Sequence, residues 1–103
     1  MTPFVTPKFI HIGFNWNGVP KINELLPVFN QALDWIRYAP NCWIVWTTTD
    51  TLGWHNRIVP LITQADRVFI CELNISNKQG WMDKFAWDWF NKPRNTFPQP
   101  IGQ

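Results

Sequence analysis

Charge is scarce in this chain of 103 residues: Asp, Glu, Lys and Arg make up 16%, and the formal net charge is +2. A globular domain usually carries about a quarter, so this composition excludes a self-repelling disordered chain. The nine Lys and Arg lie singly between Lys8 and Arg94 with no run of three. Electrostatically driven binding to a phosphate backbone needs a clustered stripe and is excluded with it. Cysteine is equally sparse. Cys42 and Cys71 stand far apart with no CxxC pair, which fits thiols in a reducing cytoplasm, with one disulfide as the alternative. Two cysteines and the two histidines, His11 and His55, lack zinc spacing. Glycine, present five times, never clusters. Gly18 and Gly53 each stand alone near a helix start and make no phosphate-cradling loop. The sole serine, Ser76, has no glycine-flanked elbow, so a serine hydrolase is excluded. No apolar run approaches the ~20 residues of a membrane span, and Met1-Thr-Pro-Phe-Val-Thr-Pro-Lys8 is not a leader. The expected location is cytoplasmic.

Aromatics are what the chain has in excess: eight Trp and eight Phe. Each buried ring removes roughly 150–250 Å² from water, worth about 4–6 kcal/mol at about 25 cal/mol/Å². Their number predicts one folded domain, with any tryptophan left outside marking a contact face.

Proline sets its limits. Residues 1–7 and 92–103 carry Pro3, Pro7, Pro93, Pro98 and Pro100, so both ends are expected as extended tails around a single domain at 8–91. Within it, Phe9–Phe14 reads as a strand. Ile22, Leu25, Leu26, Phe29 and Leu33 recur at helical spacing, with Pro20 suited to a first turn and Pro27 a source of kinking. Asp34–Ala39 and Cys42–Thr48 flank Pro40-Asn41 as a hairpin. Thr49-Asp-Thr51 caps a second helix through Trp54, Ile58, Leu61 and Ile62, weakened by Pro60. Arg67–Leu73 is a last strand, and Trp81, Phe85 and Trp89 predict a short third helix, from which Trp87 points away.

This order predicts an α+β, ferredoxin-like βαββαβ sandwich: a four-stranded antiparallel sheet, two helices on one face and an extra C-terminal helix. Strand alternation is expected to send Ile10, Ile12, Phe14, Phe69, Cys71 and Leu73 to the helices. Phe9, His11, Gly13, Ile70 and Glu72 then line an open face to be covered by a partner or the third helix. The candidate interface is Phe9, His11, Ile70, Glu72, Trp81 and Phe85. His11 and Glu72, on adjoining strands, are the candidate acid–base pair, weighed against a polar interface contact. His55 reads as solvated or capping. Trp81, Phe85, Trp87 and Trp89 form either a platform for bases or a helix packing on its own sheet.

Trp35-Ile-Arg-Tyr38, a turn, then Cys42-Trp43-Ile-Val resembles the hairpin of small bacterial SinR-like proteins, relatives of the small CRISPR adaptation nuclease subunit. Phe14-Asn-Trp-Asn-Gly18, Ala65-Asp66-Arg67 and Gly80-Trp81 fall in the same order, so the resemblance spans about Lys8 to Trp89. It implies a ferredoxin-like fold, homodimerisation, a bacterial, phage or mobile-element defence setting and, in some relatives, divalent-metal nuclease activity. Such relatives carry an aspartate after the first strand, whereas this chain has Asn15 and Asn17. These are the candidate metal ligands for Mg²⁺ or Mn²⁺, with Asn15 a catalytic candidate beside His11 and Glu72. An amide oxygen adds no negative charge, which makes a poor site for a hard cation. The expectation is therefore a non-catalytic homodimeric interaction module without a cofactor, which another protein also fits as partner. The alternatives are a divalent-metal endonuclease and a single-strand nucleic-acid binder using sheet aromatics.

Overall fold

Ile10, Ile12 and Phe14 are buried while His11 and Gly13 between them are half-buried, and this alternation organises the whole molecule. A computed structural model describes residues 3–103. Its elements are β1 (Phe4–Val5), β2 (Lys8–Asn15), α1 (Ile22–Phe29), β3 (Asp34–Ala39), β4 (Cys42–Thr47), α2 (Thr51–Ile58), β5 (Arg67–Leu73), α3 (Lys84–Phe90) and β6 (Gln99–Pro100). The fold is α+β. β2 to β5 form one antiparallel sheet in the order β3-β4-β2-β5, and β1 pairs with β6 in a second, two-stranded one.

One face of the main sheet packs on α1 and α2. Ile10, Ile12, Phe14, Trp43 and Val45 meet Leu25, Val28 and Phe29 of α1 and Trp54 and Ile58 of α2. Trp43 is the centre of this layer, stacked on Phe29 at 4.9 Å and edge-on to Phe14 at 5.5 Å. The helices form as their sequences dictate. Asp50 caps α2, its carboxylate accepting the Gly53 N–H at 2.7 Å, and Pro60 ends regular helix by turning Val59–Leu61 into a single 3₁₀ turn. α1 contains Pro27 and stops at Phe29, so Leu33 lies beyond it and is exposed.

The sequence phase of β5 is corrected here. Directly opposed residues of an antiparallel pair share a face, and the register sets Phe14 against Val68, Ile12 against Ile70 and Ile10 against Glu72. Val68 and Ile70 therefore pack on the helix side, and Phe69, Cys71 and Leu73 belong to the other face. The run Val-Phe-Ile-Cys is apolar at both parities, so its own pattern selects neither phase.

α3 covers part of that second face. Ala86 is buried against Ile36 and Ile44, with Phe9, Tyr38, Leu73, Met82, Trp89 and Phe90 around them. The helix begins at Lys84, so Trp81 stands outside it, contrary to the four-residue spacing; Trp87 packs edge-on with Phe90 at 6.0 Å. Among the described residues the proline-containing ends form β1 and β6, with a turn at Ile101-Gly102, and are tied to the body. Met1 and Thr2 of the expected N-terminal tail lie outside the described residues. Beyond the β1–β6 pairing, Thr47 Oγ1 donates to the Gln103 carbonyl at 2.6 Å, Thr48 Oγ1 donates to the Pro100 carbonyl at 2.7 Å, and the Gln103 N–H donates to Thr48 Oγ1 at 3.0 Å.

Candidate functional site

His11 and Glu72 lie on opposite faces of the sheet, so they form no acid–base pair. His11 faces Cys71 across β2 and β5, while Glu72 faces Ile10 on the helix side and its side chain is exposed. The imidazole instead meets Tyr38, with Nε2 and Oη 2.7 Å apart. Gly13 leaves the imidazole room, since a Cβ there would stand 3.0 Å from His11 Cε1 and the ring would have to give by a few tenths of an ångström. Burial lowers the His11 pKa. Burial, then the neighbouring Cys42 thiol, pushes the Tyr38 hydroxyl up to about 12. Both shifts favour the neutral forms, so at pH 7 this is an uncharged polar cluster under the rim of α3.

Asn15 and Asn17 do not converge on a site. Asn15 ends β2, exposed and opposite Arg67. Asn17 uses its backbone N–H, which donates to Asp66 Oδ1 at 2.8 Å. Asp66 is the carboxylate of this end of the sheet. Its side chain is wholly enclosed, Oδ2 accepts from the Thr63 N–H at 2.9 Å and the Thr63 hydroxyl at 3.1 Å, and Lys21 Nζ lies 3.7 Å away. The Asn17 and Thr63 N–H groups, then the Thr63 hydroxyl and Lys21, hold its pKa below the ordinary value. With its oxygens taken, Asp66 is an anchor for the Asn15–Gly18 loop, in which Gly18 adopts a φ of 101°. Among the described residues no three His, Cys, Asp or Glu side chains stand together as a metal-binding group. Asn15 and Asn17 bring only neutral amides to this loop, and the carboxylate beside them, Asp66, is already engaged, a donor set poorly suited to a hard divalent cation.

The proposed interface residues separate into three places. Phe9 is half-buried on the sheet, beneath Trp46 at 4.6 Å and Trp89 at 5.7 Å. Ile70 packs under α2. Trp81 and Phe85 are outside, at 102% and 52% exposure. One feature escaped the sequence pattern. Arg94, in the C-terminal segment, is clamped over Trp89 at 4.2 Å, Phe9 at 5.2 Å and Trp46 at 5.9 Å, with Asp34 Oδ2 3.5 Å from Nη2. An arginine just past an aromatic helix is the one sequence signal that could have found it. The last strand of the main sheet, β5, is an edge, where Phe69 is 66% exposed and Leu52 of adjacent α2 is 64% exposed. They border a groove of about 340 Å³ shared with Thr51, His55, Val68 and Ile70.

Comparison of the chain with protein-family models, with curated proteins and with solved structures finds no match. Among the described residues no helix is long and apolar enough to cross a membrane.

Proposed function

We propose that this chain is a ferredoxin-like interaction module that works as a homodimer joined along β5, in the defence-related setting that its hairpin resemblance implies. The observation that carries the reading is the state of the two sheet edges. β3 has an irregular register between Arg37 and Ala39, and Lys92 and Arg94 converge on Asp34 at its start. Bulges and charges are how proteins blunt an edge. β5 has a regular register and no proline, and its charges, Arg67 and Glu72, stand toward its two ends, leaving Phe69 exposed near its middle and Leu52 exposed beside it. Such an edge asks for another strand, and a second copy supplies one with matching apolar neighbours. A two-fold axis through Ile70 sets Phe69 opposite Cys71 of the partner subunit and brings the two α2 helices to the same side.

The strand order, with α1 and α2 on one face, supports the ferredoxin-like reading. Catalysis has less support, since the acid–base pair is split by the sheet and Asp66 is engaged. A base-stacking sheet is disfavoured too, because Trp89 and Arg94 cover Phe9 and Trp46.

Light scattering at high micromolar concentration tests the proposal. The expected mass is twice the 12.2 kDa of the chain, falling to the monomer value in Phe69→Lys, which places a charge on the edge at an already exposed position. A wild-type monomer overturns the homodimer, and a dimeric Phe69→Lys protein overturns the β5 edge as its seam.

A further inference from the structure

At the opposite edge of the sheet from β5, Tyr38, Trp81, Met82, Asp83, Phe85 and Ala86 line a cavity of about 400 Å³. Three aromatic residues and one carboxylate share this lining, with Trp81 and Phe85 open to solvent. A ring face attracts a cation through its quadrupole, and a nearby carboxylate adds Coulombic attraction. Some of the chain's own cations rest on rings in this way, one of them with a carboxylate beside it. Arg94 rests on Trp89 with Asp34 beside it, Arg37 lies 5.1 Å from the Trp43 ring and Arg57 lies 4.9 Å from that of Trp54. No lysine or arginine among the described residues stacks on Trp81 or Phe85. Asp83 precedes α3 without a side-chain capping bond and enters no ion pair among the described residues.

We infer that the Tyr38–Trp81–Asp83–Phe85 cavity is a cation-binding cage that takes an arginine or lysine side chain presented by a partner polypeptide. Charge complementarity selects the cation: Asp83, exposed at the rim of the cavity, attracts a positive group and repels an anion. The open position of Trp81 selects the source, because a side chain on a flexible stem reaches the cage without the rest of the partner entering. Arg94 on Trp89 is the same recognition made within the chain. The inference is independent of the dimer, since the cage lies away from β5 and a monomer would retain it.

Titration of the full chain with the peptide acetyl-Gly-Arg-Gly-amide, followed by tryptophan fluorescence, tests it, with acetyl-Gly-Gln-Gly-amide as the uncharged control and choline as a free small cation. The Arg peptide is expected to give a saturable change that the Gln peptide does not. Trp81→Leu and Phe85→Leu, both at exposed positions, should weaken binding about three- to tenfold. Asp83→Asn should weaken it about two- to fivefold while circular dichroism stays that of wild type. Equal responses to the Arg and Gln peptides, or no saturable response to either, overturn the cage. Choline binding tenfold more tightly than the Arg peptide overturns the polypeptide as its source.

Discussion

Trp43 and Asp66 illustrate how differently single residues hold this fold. Trp43 is 0% exposed between Phe29 and Phe14, and nothing adjacent can fill its volume without moving α1. Trp43→Ala is expected to cost about 3–5 kcal/mol through lost burial and the cavity left behind, read as a lowered midpoint in urea. Asp66 acts through charge. Its carboxylate, held below its ordinary pKa first by the Asn17 N–H and then by that of Thr63, binds a proton more readily in the unfolded chain. Its contribution is therefore present above the ordinary value of 3.8 and is lost as pH falls through the lower folded value. Melting curves of wild type and Asp66→Asn should differ most at neutral pH, with wild type the more stable, and converge in acid. Curves that stay parallel down to pH 2 would show that the loop anchor is not ionic.

Among the elements, those dictated by local pattern were legible in the sequence. The β3–β4 hairpin is legible in Asp34–Ala39 and Cys42–Thr48 around Pro40-Asn41, and α2 in the Thr49-Asp50-Thr51 cap. What was not legible depends on distant partners. The phase of β5 follows from register with β2, which puts Glu72 behind the sheet and removes it from His11. The Asn17–Asp66 bond spans 49 residues, and neither residue alone advertises the other. α3 lies between these cases. Its aromatic spacing is real, yet Asn74, Ser76, Asn77 and Gly80 precede it and regular helix starts only at Lys84. The helix is held by a small satellite core in which Ala86, Ile36 and Ile44 are its buried members. It should therefore open without the rest. Ala86→Arg is expected to abolish amide-exchange protection across 84–90 while leaving β2 and β4 at wild-type protection. Loss of protection in β4 as well would show that the two cores fold as one unit.

At the scale of the whole molecule, the proline-containing ends and the free edge divide two tasks between them. The β1–β6 pair and the Gln103 contacts to Thr47 and Thr48 close the chain around the start of α2, fixing the helix that flanks β5. The edge itself keeps Leu52 and Phe69 outside, a cost in exposed apolar surface that the proposed second copy would remove. If dimerisation is coupled to folding, stability depends on protein concentration, because mass action favours the associated native state. For two chains of 103 residues unfolding with about 2.1 cal/mol/K per residue, each tenfold increase in concentration should raise the melting temperature by about 3–4 °C. Phe69→Lys should melt at a temperature independent of concentration, and below wild type at high concentration. A wild-type melting temperature flat from micromolar to millimolar would mean that the monomer is stable by itself and that the edge contributes nothing to holding the fold.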